Sequence, residues 1–178
     1  MEAFTKILQK GCLWRFDILI FVTVGTTIND FGRLIKEIDR LAFTGKVKDK
    51  IIVQTGYTKY IPKYCDSFKL TTPEKMEYLC KRANIYITHG GVGSLTIPLK
   101  YNKPIVAVPR LKKFNEHVDD HQIQIVKELE KQGRIIAVYD IKKLDNAIKK
   151  VRKWKIKKQK KTKNILQIIE NFIEKNSR

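Results

Sequence analysis

The residues best suited to chemistry in this sequence form a glycine-rich loop in the middle of the chain. An apolar run at residues 85–87 leads into THGGVGS at 88–94, which places three glycines within four residues. Where a strand passes through such a loop into a helix, free N–H groups and the positive end of the helix dipole meet at one point, and diphosphate commonly binds there. Ser94 would add a hydroxyl donor. The alternative is that the glycines serve a turn that needs positive φ.

A second cluster of polar residues lies about twenty residues further along the chain. All three histidines of the sequence fall either in the glycine loop or in residues 116–122, EHVDDHQ. Helix capping accounts for the two aspartates of this segment. It does not account for two histidines, a glutamine and the preceding Arg110 within the same few residues. We therefore predict that the segment forms part of the same site as the glycine loop.

The elements that must position these residues follow from the hydrophobic pattern. Strands are predicted at residues 17–24, 51–54, 67–70, 84–88, 104–108 and 135–139. Helices are predicted at residues 2–12, 31–41, 72–83, 94–101 and 118–131, and helical spacing recurs at 144–151. Alternating strands and helices predict an α/β fold, a Rossmann-like doubly wound parallel sheet of about six strands covered on both faces. Such sheets bind ligands at the carboxyl ends of their strands, where both polar segments would lie.

Several other nucleotide and metal sites are disfavoured by the residues near the turns. The turn GTT at residues 25–27 lacks the remaining glycines of a GxGxxG motif, and Gln54 ends the second strand where a dinucleotide-binding fold has an acid. No Walker lysine follows Ser94, which disfavours ATP hydrolysis. No His, Cys or Asp cluster has the spacing of metal ligands. The three cysteines have no CxxC pattern and predict reduced thiols rather than disulfides.

The charge of the chain is large and unevenly spread. The formal net charge is +19, and residues 142–163 hold twelve Lys or Arg residues with a single acid, Asp145. A basic segment of this kind predicts an anionic partner, such as a membrane surface or a nucleic acid. No apolar run reaches the ~20 residues that a membrane span needs. We divide the chain into an amphipathic extension (1–16), one α/β domain (17–150) and a basic helical tail (151–178).

Three ordered motifs make the sequence resemble a known enzyme family. They are FVTVGTT at 21–27, ITHGGVGS at 87–94 and KPIVAVPRLKKFNEHVDDHQ at 103–122. Over about residues 18–150 they resemble the donor-binding C-terminal half of the glycosyltransferase family that contains MurG. The resemblance is greatest to the small catalytic subunits of two-subunit transferases. These are PssE-like proteins of exopolysaccharide and capsule synthesis and the related subunit of the dolichol-pathway UDP-GlcNAc transferase. The third motif is more similar to the exopolysaccharide branch.

The resemblance implies one half of a GT-B fold in an inverting, metal-independent enzyme that needs no cofactor beyond its UDP-sugar substrate. The glycine loop would hold the donor diphosphate, Arg110 and His117 would add positive charge, and Asp120 and Gln122 would meet the donor sugar. The positions that match the family's donor site are Gly25, Thr26, His89, Gly90, Gly91, Gly93, Ser94, Arg110, Glu116, His117, Asp120, His121 and Gln122. Of these, Gly25 and Thr26 would line the cleft that faces the second half of the enzyme.

One position departs from the family pattern. MurG-like enzymes carry a glutamate for the ribose hydroxyls a few residues after the glycine loop, but residues 96–100 contain no acid. Either Glu116 takes this role or the ribose is held differently.

A GT-B active site lies between two domains, and the resembling part of this chain supplies one. The resemblance therefore implies a membrane-anchored partner subunit that binds a lipid-linked saccharide acceptor and contributes the catalytic base. The enzyme would work at the cytoplasmic face of the membrane, where the basic residues 152–163 would contact anionic lipid. The resemblance leaves three donor sugars open, because galactose, glucuronic acid and GlcNAc all occur on this scaffold.

Three other functions fit parts of the sequence. The chain could be the UDP-GlcNAc transferase subunit of a lipid-linked N-glycan pathway, or a non-catalytic enhancer subunit. It could also be a basic nucleic-acid-binding module. No DNA- or RNA-binding motif accompanies the basic run, so no specific nucleic acid is expected.

Overall fold

The computed structural model describes residues 18–154, which form one six-stranded sheet. Its strands are β1 (Leu19–Thr23), β2 (Lys50–Gln54), β3 (Asp66–Phe68), β4 (Ile85–Thr88), β5 (Ile105–Ala107) and β6 (Ile136–Ala137). Neighbouring strands are parallel, in the order β3-β2-β1-β4-β5-β6. This is the doubly wound order of Rossmann-like folds, and it confirms the predicted fold class.

Helices cover both faces of the sheet because the strands are apolar on both sides. The helices are α1 (Gly32–Phe43), α2 (Pro73–Arg82), α3 (Val92–Lys100), α4 (His121–Lys131) and α5 (Leu144–Arg152). Two short 3-10 helices lie at Lys112–Phe114 and Ile141–Lys143. The apolar faces of α1 and α5 pack on one side of the sheet, while α2, α3 and α4 pack on the other. Burying both faces is what a parallel sheet requires.

Two helices begin at residues other than those predicted, and both differences affect the candidate site. Helix α3 begins at Val92 rather than Ser94, so that Gly93 lies inside its first turn. Helix α4 begins at His121 rather than Val118. The chain before α4 is held in a 3-10 turn that ends at Asn115 in the left-handed conformation, with φ of 56°. A residue in that conformation interrupts helical backbone, so residues 116–120 form a loop.

A buried carboxylate fixes the long connection between β2 and β3 against α1. Asp39 is 2% exposed, and it accepts hydrogen bonds from the Tyr60 hydroxyl (2.7 Å) and from the backbone N–H groups of Lys63 (3.0 Å) and Tyr64 (2.7 Å). These donors replace the water that the carboxylate loses on burial. The connection is therefore an ordered part of the domain, although the sequence predicted no element there.

The domain extends past the predicted boundary at residue 150. Val151, on α5, is 1% exposed and belongs to the core that α5 forms with α1. Arg152 makes an ion pair with Asp49, and Trp154 packs against the same core. The apolar residues with helical spacing at 144–151 therefore pack on the domain. The extension at 1–16 and the basic run from residue 155 onward lie outside the described residues.

The remaining general predictions concern cysteines and membrane spans. Within residues 18–154, Cys65 and Cys80 are free thiols, and burial raises the pKa of Cys80 to about 11. No helix in this part of the chain is long and apolar enough to cross a membrane.

Candidate functional site

The carboxyl ends of β1 and β4 form a crevice at the centre of the sheet. These two strands are neighbours, and the chain leaves them toward opposite edges of the sheet, which is the point where open α/β sheets bind ligands. A cavity of about 310 Å³ lies here. It is lined by the ends of β1, β2 and β4, the segment before α2, and the first turns of α2 and α3. These residues are Thr23, Gly25, Thr26, Thr27, Gln54, Leu70, Thr71, Pro73, Met76, Tyr86, His89, Gly93, Ser94 and Ile97.

The glycines of the loop after β4 are not there to allow positive φ. The described glycines with positive φ are Gly25, Gly45, Gly56 and Gly133. Gly91 has φ of −73° and is the N-cap of α3. The turn alternative from the sequence is therefore wrong for this loop, and the bare backbone must be explained by what approaches it.

Each glycine of the loop leaves room for a different neighbour. A Cβ atom at Gly90 would lie 2.7 Å from Cγ2 of Val126, so this glycine lets α4 pack closely. A Cβ at Gly91 would lie 2.5 Å from Nε2 of His89. A Cβ at Gly93 would meet nothing within 4 Å, and Gly93 lines the cavity. Of these three positions, Gly93 is the one where an absent side chain leaves open space.

The N-terminus of α3 provides the positive end of a helix dipole at the cavity. The amides of Val92 and Gly93 lie in its first turn, where a helix leaves its N–H groups without intrahelical partners. Ser94 was predicted to offer a hydroxyl donor. Its hydroxyl instead donates to the carbonyl oxygens of Gly91 (2.8 Å) and His89 (3.1 Å), which fixes the loop in place. The polar groups that α3 presents to the cavity are therefore mainly backbone amides.

His89 forms a buried wall of the crevice between two glycines. Its ring lies beside Gly91 on one side and beside Gly25, with φ of +79°, on the other, where a Cβ would be 2.5 Å from Cε1. His89 is 7% exposed, and its Nδ1 atom has no hydrogen-bond partner among the described residues. Burial lowers the pKa of His89 to about 3, and the charges of Arg110 and His117 act in the same direction, against a backbone hydrogen bond with Thr23. The imidazole is therefore uncharged at neutral pH.

The lowered pKa of His89 predicts that the domain loses stability in mild acid. The unfolded chain protonates His89 below its ordinary pKa of 6.5, whereas the folded chain resists protonation down to about 3. The stabilisation is therefore complete above pH 6.5 and is lost as the pH falls from 6.5 toward 3. We expect His89 to lower the free energy of unfolding by ~2 kcal/mol between pH 7 and pH 5.

Urea unfolding across that pH range measures the effect, with two variants for comparison. His89→Asn removes the titrating group, so its stability should depend less steeply on pH than that of the wild type. His121→Gln removes an exposed imidazole from the start of α4 and should follow the wild-type curve. Parallel curves for the wild type and His89→Asn would show that His89 is not the group responsible.

Arg110 lies inside the protein rather than in the cavity lining. It is fully buried, and its guanidinium donates to the carbonyl oxygens of Val24 (2.9 Å), Asn29 (2.9 Å) and Glu116 (2.9 Å). Its Cζ atom also lies 4.7 Å from the ring centroid of Phe31. Arg110 thus joins the loops that follow β1 and β5. Its predicted direct contact with a donor finds no support in this geometry.

Glu116 is held in a buried ion pair. Its carboxylate accepts from Nε and a terminal nitrogen of Arg33, both at 2.8 Å, and from the backbone N–H of Leu111 at 3.0 Å. The Glu116 residue is 3% exposed. Both oxygens are therefore engaged away from the cavity. This favours the second alternative stated above, in which the ribose is held differently.

The remaining members of the EHVDDHQ segment form the loop before α4 and the first residue of that helix. His117 is half-buried, with Nδ1 3.1 Å from a carboxylate oxygen of Asp119. Asp120 is the N-cap of α4, but its side chain accepts from the N–H of Lys112 (3.0 Å) rather than from the helix. His121 is exposed. Asp119 instead accepts from the N–H of His121 (3.0 Å), the first residue of α4, so capping accounts for Asp119 but not for Asp120. None of these side chains lines the cavity.

Gln122 connects this segment to the glycine loop from the side opposite the cavity. It is 7% exposed, its Oε1 accepts from the N–H of Arg110 (3.1 Å), and its backbone oxygen would lie 2.9 Å from a Cβ at Gly90. Of the predicted site residues, the structure brings Gly25, Thr26, His89, Gly93 and Ser94 together in the cavity wall. It places Gly90, Arg110, Glu116 and Gln122 behind that wall.

Sequence reasoning missed one side of the cavity. The residues concerned come from the ends of β1 and β2, the segment that enters α2 and its first turn, and they include Thr23, Gln54, Leu70, Thr71 and Met76. Ile97, on α3, was also missed. One available signal was Gln54, a glutamine at the end of an apolar strand. Another was Leu70, which is 43% exposed just before the Thr72-Pro73 helix start. Within residues 18–154, no group of three or more His, Cys, Asp or Glu side chains could hold a metal ion.

The comparisons with known proteins agree with the resemblance that the motifs predicted. A family model described as the glycosyltransferase family 28 C-terminal domain matches residues 19–175. The UDP-N-acetylglucosamine transferase subunit ALG13 of Homo sapiens is 30% identical over 125 residues, which is 65% of this chain and 10% of that protein. The chain therefore spans about a tenth of the length of the curated relatives that it matches.

Two solved structures have the same fold as this chain. The crystal structure of Acinetobacter baumannii MurG aligns with a TM-score of 0.54 at 18% identity, and the alignment covers 84% of this chain and 44% of that one. The NMR solution structure of ALG13 aligns with a TM-score of 0.53 at 15% identity, and it covers 90% of this chain and 97% of that one. At these identities the likeness concerns the fold alone. It agrees with the predicted half of a GT-B enzyme.

Proposed function

The chain belongs to the family of glycosyltransferase family 28 C-terminal domains, and from this membership we propose that it is the donor-binding subunit of a heteromeric glycosyltransferase. In this proposal the enzyme transfers a sugar from a UDP-sugar to a lipid-linked saccharide acceptor, with inversion and without a metal. The observation that carries the proposal is the open space at Gly93. Gly93 lies at the N-terminus of α3 and lines the cavity of about 310 Å³ at the switch point of the sheet, and a Cβ there would meet no atom within 4 Å.

The two ends of the cavity differ in a way that suits a nucleoside diphosphate. The α3 end offers backbone amides and a helix dipole, which attract a diphosphate. The opposite end is lined by the apolar side chains of Leu70, Pro73 and Met76, on which a planar base can pack. The donor would therefore bind with its diphosphate at Gly93 and its base toward α2.

The chemistry that these residues can supply is stabilisation of the leaving group. When the bond between the sugar and the diphosphate breaks, negative charge grows on the diphosphate. Fixed N–H groups and a helix dipole then stabilise that charge without reorganising. His89, uncharged at neutral pH, can add a hydrogen bond but no charge. Among the described residues we assign no catalytic base, and in the proposal the acceptor-binding subunit supplies it.

A partner subunit that completes the active site must cover the carboxyl edge beside the cavity. The loops after β1 and β5 meet there, since the Asn29 side chain donates to the carbonyl oxygen of Asn115 (3.3 Å). These loops expose three apolar side chains: Ile28 is 82% exposed, Val118 is 74% exposed and Phe114 is 51% exposed. The loop that carries Ile28 also lines the cavity through residues 25–27. We place the acceptor-binding subunit on this surface because it continues directly from the donor cleft.

Acidic substitutions on that surface should separate the two subunits. We expect Ile28→Asp combined with Val118→Asp to weaken the complex with the co-expressed partner by about tenfold (~1.4 kcal/mol) or more, because an unpaired carboxylate would be buried on association. Ile61→Asp is the matched control, since Ile61 is 72% exposed on the loop before β3, which contributes nothing to the cavity. A pull-down that loses the partner equally with both variants would place the interface elsewhere.

The basic run supports a location at a membrane surface. In the proposal, residues 152–163 hold the enzyme at the cytoplasmic face by contacting anionic lipid. Lys and Arg residues near such a surface each contribute about 1 kcal/mol. Arg152 is already paired with Asp49, so the residues that follow it would make the contact. Of these, residues 155–163 lie beyond the part of the chain that the structure describes.

A calorimetric titration of the purified chain with UDP tests the proposed function. We expect saturable binding in the presence of a chelator of divalent metals, because the proposed diphosphate site uses backbone amides. UDP binding also separates the proposal from the enhancer and nucleic-acid alternatives, neither of which needs it. Absence of UDP binding, with the chain folded, would contradict the proposal. A screen of UDP-sugars with the co-expressed partner then identifies the donor, and the 30% identity to the human UDP-N-acetylglucosamine transferase subunit makes UDP-GlcNAc the first to try.

A further inference from the structure

Gln54 occupies the floor of the cavity, between its two walls. It ends β2, is 2% exposed and lines the cavity. Its Nε2 donates to the carbonyl oxygen of Gly25 (3.1 Å), in the loop after β1, and to that of Lys69 (3.2 Å), in the segment after β3. One side chain thus joins the two walls that face each other across the donor cleft.

The orientation of this carboxamide is determined by its neighbours. The carbonyl oxygens of Gly25 and Lys69 only accept hydrogen bonds, so the nitrogen of Gln54 must face them. Its Oε1 accepts from the hydroxyl of Thr23 at 2.6 Å, and that hydroxyl oxygen accepts from the N–H of Gly25 at 3.3 Å. Every polar atom of the carboxamide is therefore used, and its position is fixed by three strand ends.

The backbone around Gln54 adds to the same junction. The N–H of Gly56 also donates to the carbonyl oxygen of Lys69 (3.0 Å). Gly56 has φ of +55°, and a Cβ there would lie 2.4 Å from the carbonyl oxygen of Gly25. The peptide that precedes Leu70 is thereby held at a set distance from the loop after β1. Leu70 and Thr71 form the wall at the apolar end of the cavity.

We propose that Gln54 is a positioning residue for donor binding: by fixing the spacing between residues 25–27 and the wall at Leu70 and Thr71, it sets the affinity for the nucleoside part of the donor. The inference rests on the proposed function, because it takes the apolar end of the cavity as the nucleoside end. The diphosphate is held separately, by the N-terminus of α3. Gln54 itself touches neither reacting atom.

The variant Gln54→Glu tests the two donated hydrogen bonds with almost no change of shape. The new carboxylate still accepts from Thr23, but it places an acceptor against the carbonyl oxygens of Gly25 and Lys69. We expect the Kd for UDP to rise about tenfold, while the Kd for inorganic pyrophosphate changes less than about twofold. Both ligands are titrated into ¹⁵N-labelled protein, with the amide signal of Gly93 as the reporter.

Two further variants separate positioning from folding. Gln132→Glu makes the same amide-to-acid change beside Glu128, far along the chain from the cleft, and should leave both affinities unchanged. Thr23→Val removes the hydroxyl that donates to Gln54 and accepts from the N–H of Gly25, and it should raise the Kd for UDP about threefold. If Gln54→Glu does not fold, Thr23→Val decides the question.

The outcomes of the titrations are distinct. A loss of affinity for UDP alone supports the inference. A merely structural role of Gln54 would instead lower the affinity for both ligands and the melting temperature together. Equal losses for UDP and pyrophosphate overturn it, as does wild-type affinity for UDP in Gln54→Glu or, where that variant is unfolded, in Thr23→Val. A wild-type chain that binds no UDP overturns the proposed function and this inference with it.

Discussion

Replacing Gly93 with leucine is expected to abolish measurable UDP binding and to leave the chain folded. A Cβ at this position meets no atom within 4 Å, and Gly93 lines the cavity at the first turn of α3. A leucine side chain would fill the place that the diphosphate must occupy to reach the backbone amides. Leucine is also a better helix former than glycine, by about 0.5–1 kcal/mol, so the melting temperature should not fall. Calorimetry with UDP and a thermal unfolding curve measure the two quantities.

Two controls make this result specific to the diphosphate site. Gly93→Ala adds only one carbon atom and should weaken UDP binding less than leucine does. Lys100→Leu adds an apolar side chain at the other end of the same helix and should bind UDP normally. Wild-type affinity in Gly93→Leu would remove the first turn of α3 from the binding site. Gly91 is unsuitable for this test because a side chain there would strike His89, so that loss of binding and loss of structure would coincide.

Arg110→Met is expected to unfold the domain at a much lower denaturant concentration than the wild type. The substitution keeps much of the apolar stem but leaves the buried carbonyl oxygens of Val24, Asn29 and Glu116 without their donors. A buried carbonyl oxygen left without its donor costs about 1–3 kcal/mol, so the loss of all three donors removes a large part of the stability of a domain of this size. Urea unfolding at neutral pH measures the loss.

A donor-binding role of Arg110 predicts a different result for the same variant. If Arg110 contacted the donor diphosphate, Arg110→Met would lose affinity for UDP and keep its melting temperature, as Gly93→Leu is expected to do. Arg40→Met serves as the control, because Arg40 is an exposed arginine on α1 whose ion pair with Glu37 lies at the surface. Exposed pairs contribute about 0–1 kcal/mol, so this variant should remain close to the wild type.

The helices and strands were largely predictable from the sequence because periodicity is a local property. Each of the six predicted strands overlaps an observed one, and Thr72-Pro73 does begin a helix. The errors lie at boundaries where a contact distant in sequence decides the conformation. Helix α4 starts late where the carbonyl oxygen of Glu116 accepts from Arg110. The guanidinium of Arg110 is held in turn by the carbonyl oxygens of Val24 and Asn29 in the loop after β1. No periodic pattern records such contacts.

The candidate site was predictable in its location but only partly in its members. Alternating strands and helices predict a parallel sheet whose loops after the strands lie at one edge. The strand order, which comes from the structure, makes β1 and β4 neighbours at that edge. The sequence could not show which polar side chains at that edge face the cavity. Arg110 and Glu116 are charged residues beside the predicted site, yet both side chains make buried hydrogen bonds or ion pairs with other parts of the domain. From the sequence, Gln54 was interpreted only as a residue that replaces the acid of a dinucleotide-binding fold, although it lies on the floor of the cavity.

The glycine loop shows most clearly what the sequence determined and what the tertiary structure determined. The sequence by itself determined that backbone must lie bare between β4 and α3, since three glycines in four residues leave no side chains there. Only the tertiary structure decided why, because the reason is a different neighbour at each position. Gly90 admits α4, Gly91 admits the ring of His89, and Gly93 alone faces open space. The neighbours come from a separate helix, a buried side chain and a cavity, and packing of this kind is set by atoms that are far apart in sequence.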